Sequence, residues 1–150
     1  MKIGDKIPEI LGNDAQGNVI KASDFAGKKL IIYFYPKDNT PGCTAEACSL
    51  SDGYGKLRKA GFELLGVSKD SAASHLKFAA KHNLPFPLIA DEELTLNKAF
   101  GVWQEKKMAG RVYMGTVRTT FIIDEQGTVI HIINKVNTKD SANQILDLNL

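Results

Sequence analysis

Apolar positions change rhythm several times along the chain, and each change marks an element. Leu30–Tyr35 (LIIYFY) is apolar throughout and rich in β-branched and aromatic residues, as in a strand covered on both faces. It stops at Pro36, which cannot donate to a β-ladder. Thr40-Pro41 then reads as a helix start, with threonine at the N-cap and proline at the first helical position. Ala45, Ala47, Leu50, Tyr54 and Leu57 carry that helix to a stop near Gly61. Phe62–Val67 is the next strand, and Ser71 opens a helix running to His82 through Leu76, Phe78, Ala79 and Ala80. Pro87–Ala90 predicts a short strand, and Glu92–Phe100 a short helix closed by Gly101.

The two ends of the chain differ from this middle. Asn13–Asn18 is a turn cluster between two short extended pieces, which predicts a hairpin. Thr116–Ile123 and Thr128–Ile133 are β-rich runs joined by Asp124-Glu125-Gln126-Gly127, a hairpin loop. Asp140–Leu148 closes the chain as an amphipathic helix. Parallel crossovers followed by an antiparallel hairpin predict an α/β fold, a mixed central β-sheet with helices on both faces in a thioredoxin-like layout. No linker, repeat or low-complexity tract interrupts the pattern, so one domain is expected over residues 1–150.

Composition narrows the function. The 150 residues are 43% hydrophobic and 24% charged, an ordinary globular balance. A net charge of +2, with no like-charged run longer than Lys28-Lys29 or Lys106-Lys107, argues against nucleic acid and membrane partners. The longest apolar run is far too short to span a bilayer. The N-terminal stretch lacks an apolar h-region and a small-residue cleavage site, so a cytoplasmic address is expected. There thiols stay reduced, and two cysteines point to catalysis or redox sensing rather than to a structural staple.

Cys43 falls in the first turn of the helix opened at Thr40. Unpaired amides and the positive end of the dipole favour a thiolate there. Gly42 leaves room for a substrate beside the sulfur, and Thr40 offers a hydroxyl. The competing reading is a small buried hydrophobe behind an ordinary loop-to-helix signal. Cys48, five positions on, lies about 140° round an intact helix and about 7.5 Å along it. The Cα atoms would then be roughly 8.6 Å apart, beyond the reach of a disulfide unless the helix unwinds. The spacing also weakens a thioredoxin-type dithiol and a zinc knuckle.

The stretch Tyr33–Cys48 (YFYPKDNTPGCTAEAC) closely resembles the active-site segment of peroxiredoxins, with its Pro-x-x-x-Thr-x-x-Cys pattern. The second cysteine five positions on resembles the bacterioferritin comigratory protein, or peroxiredoxin Q, subfamily. Gly115–Asp124 is similar to the family's arginine-bearing strand, and Asn83–Leu88 and Gly101–Met108 also resemble the subfamily. The likeness covers nearly the whole chain. It implies a thiol peroxidase acting on hydrogen peroxide and organic hydroperoxides. Cys43 would be the peroxidatic cysteine and pass through a sulfenic acid. Cys48 would be the resolving cysteine, and a thioredoxin-like protein the reductant. Thr40 and Arg118 would bind the peroxide, and Pro36 would shield the thiolate. The resemblance leans towards a monomer, and no metal or organic cofactor is expected.

Remaining features get plainer readings. Glu46, one turn after Cys43, either orients Arg118 or is a solvated helix-face acid. His75 and His82 are read as a surface pair, His131 as a half-exposed sheet residue and Trp103 as packing. Two other functions stay open on the residues alone: a disulfide oxidoreductase, suggested by two nearby thiols, and a redox sensor whose helix unwinds on oxidation.

Overall fold

The computed structural model describes residues 1–150. The N-terminal pieces pair as an antiparallel hairpin, β1 (Ile10–Asn13) and β2 (Val19–Lys21). Asp14 builds the turn by accepting from the amides of Gln16 and Asn18 at 3.0 and 2.8 Å. A short 3₁₀ turn over Ala22–Phe25 leads into the central strand β3 (Lys29–Phe34).

Helix α1 (Pro41–Asp52) follows, and here the structure departs from the expected single helix to Gly61: Gly53 breaks it, and α2 (Tyr54–Lys59) restarts it. The break falls where a side chain has no room: a Cβ at Gly53 would collide with Ala142 of the C-terminal helix. Strand β4 (Phe62–Ser68), helix α3 (Ala72–His82) and strand β5 (Leu88–Ala90) lie where the pattern placed them. Ser71 caps α3 by accepting from the Ser74 amide at 3.1 Å. Helix α4 (Thr95–Ala99) is shorter than predicted. Asp91 to Leu94 form a turn whose Asp91 carboxylate accepts the amides of Leu96 and Asn97 at 3.0 and 2.8 Å.

An antiparallel arm, β6 (Trp103–Met108) and β7 (Arg111–Thr116), has no counterpart in the predicted elements. Thr116 ends this arm rather than starting the next strand, and β8 begins at Thr119 (Thr119–Ile123). Arg118 therefore lies in the gap between two strands, where the chain leaves the arm and enters the sheet. Strand β9 (Val129–Ile133) completes the predicted hairpin, its loop held by Asp124. The final helix α5 spans Ser141–Leu146.

The main sheet has the order β5-β4-β3-β8-β9, parallel among β3, β4 and β5 and antiparallel at β8 and β9. Alternate residues of β3, continued by Tyr35 just beyond it, feed two cores. Ile31, Tyr33 and Tyr35 pack with Cys43, Ala47, Leu50, Phe78 and Ile145 under α1, α2, α3 and α5. Leu30, Ile32 and Phe34 pack with Leu11, Leu96 and Phe121 on the face covered by the β1–β2 hairpin and α4. This is the expected thioredoxin-like arrangement, with the helices unevenly divided between the faces. No helix is long and apolar enough to cross a membrane.

Candidate active site

A buried strand, β3, delivers the chain to the start of α1, and that fixes where Cys43 can be. Its side chain is 1% exposed. Thr44 is the first α1 residue whose amide closes a helical bond, to the Thr40 carbonyl at 2.9 Å, so the amides of Gly42 and Cys43 precede the ladder unpaired. Thr40 holds the N-cap position with extended backbone, yet its hydroxyl caps nothing. It donates instead to the Lys37 carbonyl at 2.8 Å. Pro36 lies half-buried on the same loop.

Arg118 reaches this site from the segment that leads into β8, the strand paired with β3. Its Nη2 donates to Cys43 Sγ at 3.3 Å, and its Nη1 to Glu46 Oε1 at 2.7 Å. Gly42 serves this contact: a Cβ there would lie 3.2 Å from Arg118 Nη2, so the space expected for substrate is occupied by the guanidinium. Glu46 is fully buried against Arg118, which favours orientation of the arginine over the solvated-acid reading. Burial pushes the Glu46 carboxyl up from 4.5 to about 7, against the lowering effect of Arg118. Burial also works against the Arg118 charge, but Glu46 and Cys43 outweigh it and leave its pKa above the ordinary arginine value. The arginine thus stays charged, with one arm held and the other on the sulfur. Beneath α1, Glu46 Oε2, Tyr33 Oη and Thr120 Oγ1 are buried without partners, and Tyr33 pairs directly with Thr120 in the sheet register.

Lys106, on the arm absent from the predicted elements, joins the positive surroundings. Its Nζ donates to the Thr116 carbonyl at 2.9 Å, and burial, then Arg118, lower its pKa. Trp103 starts the same arm, with Lys69 Nζ 5.7 Å from its ring centroid.

Both cysteines are free thiols, and α1 runs unbroken through them, which keeps them at the helical separation. Cys48 is half-buried, its Sγ 3.8 Å from His82 Nδ1. The expected surface pair of histidines is not found. His75 is wholly buried, because it completes a polar cluster behind the Pro36–Thr40 loop. Asp38 Oδ2 lies 2.8 Å from His75 Nδ1 and accepts from Ser74 Oγ, while Asp38 Oδ1 accepts from Tyr35 Oη at 2.7 Å. His75 Nε2 faces the Ile89 carbonyl at 3.0 Å. Burial acts to raise the Asp38 carboxyl, but the bonds from His75, Tyr35 and Ser74 prevail and hold it below its ordinary value. Asp38, Asp70 and His75 have ligand-type atoms within 4.8 Å of one another. Both His75 nitrogens are already engaged by oxygens of the protein, Asp38 Oδ2 and the Ile89 carbonyl. His131 is half-buried on β9, as expected.

A buried cysteine at a helix start, bridged by arginine to a buried glutamate, suits attack on a small electrophile. Comparison with known proteins decides the class. The AhpC/TSA family profile matches residues 3–132. The chain belongs to that family. Peroxiredoxin Bcp of Bacillus subtilis is 44% identical over 146 residues, 97% of this chain and 93% of its own. Peroxiredoxin Bcp of Escherichia coli is 38% identical over 147 residues, 98% of this chain and 94% of its own. Among solved structures, a cysteine-to-serine variant of Xanthomonas campestris peroxiredoxin Q superposes with a TM-score of 0.86 at 36% identity, covering 97% of both chains. A similar variant of the Xylella fastidiosa protein gives 0.90 at 33% identity, over 99% of this chain and 95% of that one. As a peroxiredoxin, this chain is a thiol-dependent peroxidase with a thioredoxin-like fold. Its two cysteines fit the atypical two-cysteine type.

Proposed function

We propose that Cys43 is the peroxidatic cysteine and Cys48 the resolving cysteine of this peroxiredoxin. The observation that carries the reading is the Arg118 Nη2 contact with Cys43 Sγ at 3.3 Å. Cys43 thiolate attacks one peroxide oxygen, the O–O bond breaks, and the leaving oxygen departs with the negative charge as Cys43 becomes a sulfenic acid. Arg118 supplies a fixed donor beside that developing charge, which stabilises the transition state more than the ground state. The Thr40 proton is committed to the Lys37 carbonyl, which leaves its oxygen to accept from the peroxide O–H. Pro36 limits water at the thiolate. Cys48 then displaces hydroxide from the Cys43 sulfur, and α1 unwinds to let the two meet.

Hydrogen peroxide and organic hydroperoxides are the substrates in this reading. A structure of the Xanthomonas campestris bacterioferritin comigratory protein, 36% identical, concerns its alkyl peroxide reduction activity, which supports the organic part. A thioredoxin-like protein returns the disulfide to thiols. The enzyme works in the cytoplasm as a monomer, with residues 1–150 acting as one domain.

Rapid mixing of the reduced protein with stoichiometric hydrogen peroxide tests this, with alkylation and mass spectrometry reading each thiol. The expected result is fast loss of both thiols into a Cys43–Cys48 disulfide. Cys43→Ser should abolish turnover. Cys48→Ser should keep the first oxidation fast and stop thioredoxin-linked recycling. Slow or unselective oxidation of the native protein would overturn the assignment.

A further inference from the structure

The contact between Cys48 and His82 has no part in the first oxidation, and it lies on the one sulfur that must lose a proton later. His82 Nδ1 is 3.8 Å from Cys48 Sγ, within hydrogen-bond range for sulfur. The ring packs edge-on against Phe78, with centroids 5.1 Å apart at 70°. With the ring proton on Nε2, Nδ1 accepts from the thiol.

We propose that His82 is the general base that takes the Cys48 proton during disulfide formation. This rests on Cys48 being the resolving cysteine. The Cys48 S–H bond breaks towards Nδ1, and the Cys48 sulfur forms a bond to the Cys43 sulfur. The Cys43 S–O bond breaks and its electron pair leaves as hydroxide, which takes a proton from solvent to become water. His82 later returns its proton to solvent. The Cys48 sulfur is oxidised from thiol to disulfide, and the Cys43 sulfur is reduced from sulfenic acid to disulfide. The imidazolium formed sits in the last turn of α3, where the carbonyl end of the helix favours positive charge.

A base on Cys48 is useful only if Cys48 stays beside it while α1 unwinds, and the anchoring of α1 is lopsided in that sense. Its second half is tied to α5: the Ser141 amide donates to Ser49 Oγ at 2.7 Å, and Gly53 abuts Ala142. Leu50 is fully buried. The first turn has unpaired amides, and its side-chain ties run through the reacting Cys43 and Glu46 to Arg118. Unwinding from the N-terminal end costs fewer bonds, so Cys43 travels towards a Cys48 that keeps its histidine.

The test separates the two steps by rapid quench in native protein, His82→Asn and His82→Ala. A free thiol is only a few per cent thiolate at neutral pH, so removing the base should slow disulfide formation roughly 10- to 30-fold. Sulfenic acid formation on Cys43 should keep its rate. The slowed intermediate should over-oxidise to sulfinic acid in excess peroxide. Added imidazole should restore the rate in His82→Ala, which loss of packing alone would not allow. Unchanged disulfide formation in both variants, or slowing that imidazole does not relieve, overturns the role of His82 and leaves the Cys43–Cys48 assignment standing. Absence of a Cys43–Cys48 disulfide in the native protein overturns the assignment itself.

Discussion

Arg118 can serve Cys43 only because its planar fork is shared: one arm is held by a buried carboxylate and the other is free to meet the sulfur. A lysine has one compact ammonium and cannot span both. Arg118→Lys should therefore lower kcat/KM for hydrogen peroxide by about 10²-fold, read by stopped-flow, while leaving Tm nearly unchanged. Glu46 makes a second prediction, on pH. Its folded value, about 7, is raised above the ordinary 4.5, so the folded state holds this proton more tightly than the unfolded one. The stabilisation is complete below the unfolded value and is lost as pH rises through the folded one. Between those limits, urea titrations should show the native protein losing about 3 kcal/mol relative to Glu46→Gln, whose amide does not titrate. A flat difference would place Glu46 as an ordinary carboxylate.

At the scale of elements, α1 has two jobs that conflict. In the proposed cycle it must be helical to keep unpaired amides at Cys43 and Glu46 against Arg118, and it must unwind to let Cys48 reach the Cys43 sulfur. Amide hydrogen exchange over Cys43–Ser51 should speed up on oxidation, most at the N-terminal end, since the C-terminal half is tied to α5. The break at Gly53 belongs to the same design. Gly53→Ala drives a methyl into Ala142, and the shift this forces should cost roughly 1–3 kcal/mol in urea unfolding. The arm β6–β7 also acts as an element. Its end at Thr116 sets where the chain turns into β8, and so where Arg118 stands.

Across the whole molecule, the Asp38–His75 pair ties the loop carrying Pro36 and Thr40 to α3 and, through the Ile89 carbonyl, to the edge strand β5. Breaking it removes one of three side-chain bonds to the buried Asp38 carboxylate, those from Tyr35 and Ser74 remaining, so His75→Ala should cost roughly 1–3 kcal/mol in urea unfolding. Asp38 sits below its ordinary value of 3.8, so the pair's stabilisation is present above that value and is lost as pH falls through and below it. Acid unfolding of His75→Ala should accordingly begin at higher pH than that of the native protein. If the two curves coincide, the pair is not what anchors the loop.

What the sequence determined by itself was local. Strand β3 was legible because burial on both faces demands an unbroken apolar run, and the α1 start because threonine and proline fit a helix N-terminus. Asp124–Gly127 and Ser71 declared a loop and a cap through the same short-range hydrogen bonds that the structure contains. The segment of the candidate site, Cys43 included, was readable for that reason: it begins with a strand end and a helix start. The tertiary structure decided which side chains met. Glu46 and Arg118 are 72 positions apart, Asp38 and His75 37, and Cys48 and His82 34. Whether Glu46 was a solvated acid or the partner of an arginine depended on the sheet register that carries β8 beside β3. Whether position 53 had room for a side chain depended on Ala142 arriving from α5. Hydrophobic rhythm records which face of an element is covered. It does not record by what, because any apolar neighbour satisfies the pattern, while a hydrogen bond or an ion pair needs one particular partner brought to one place.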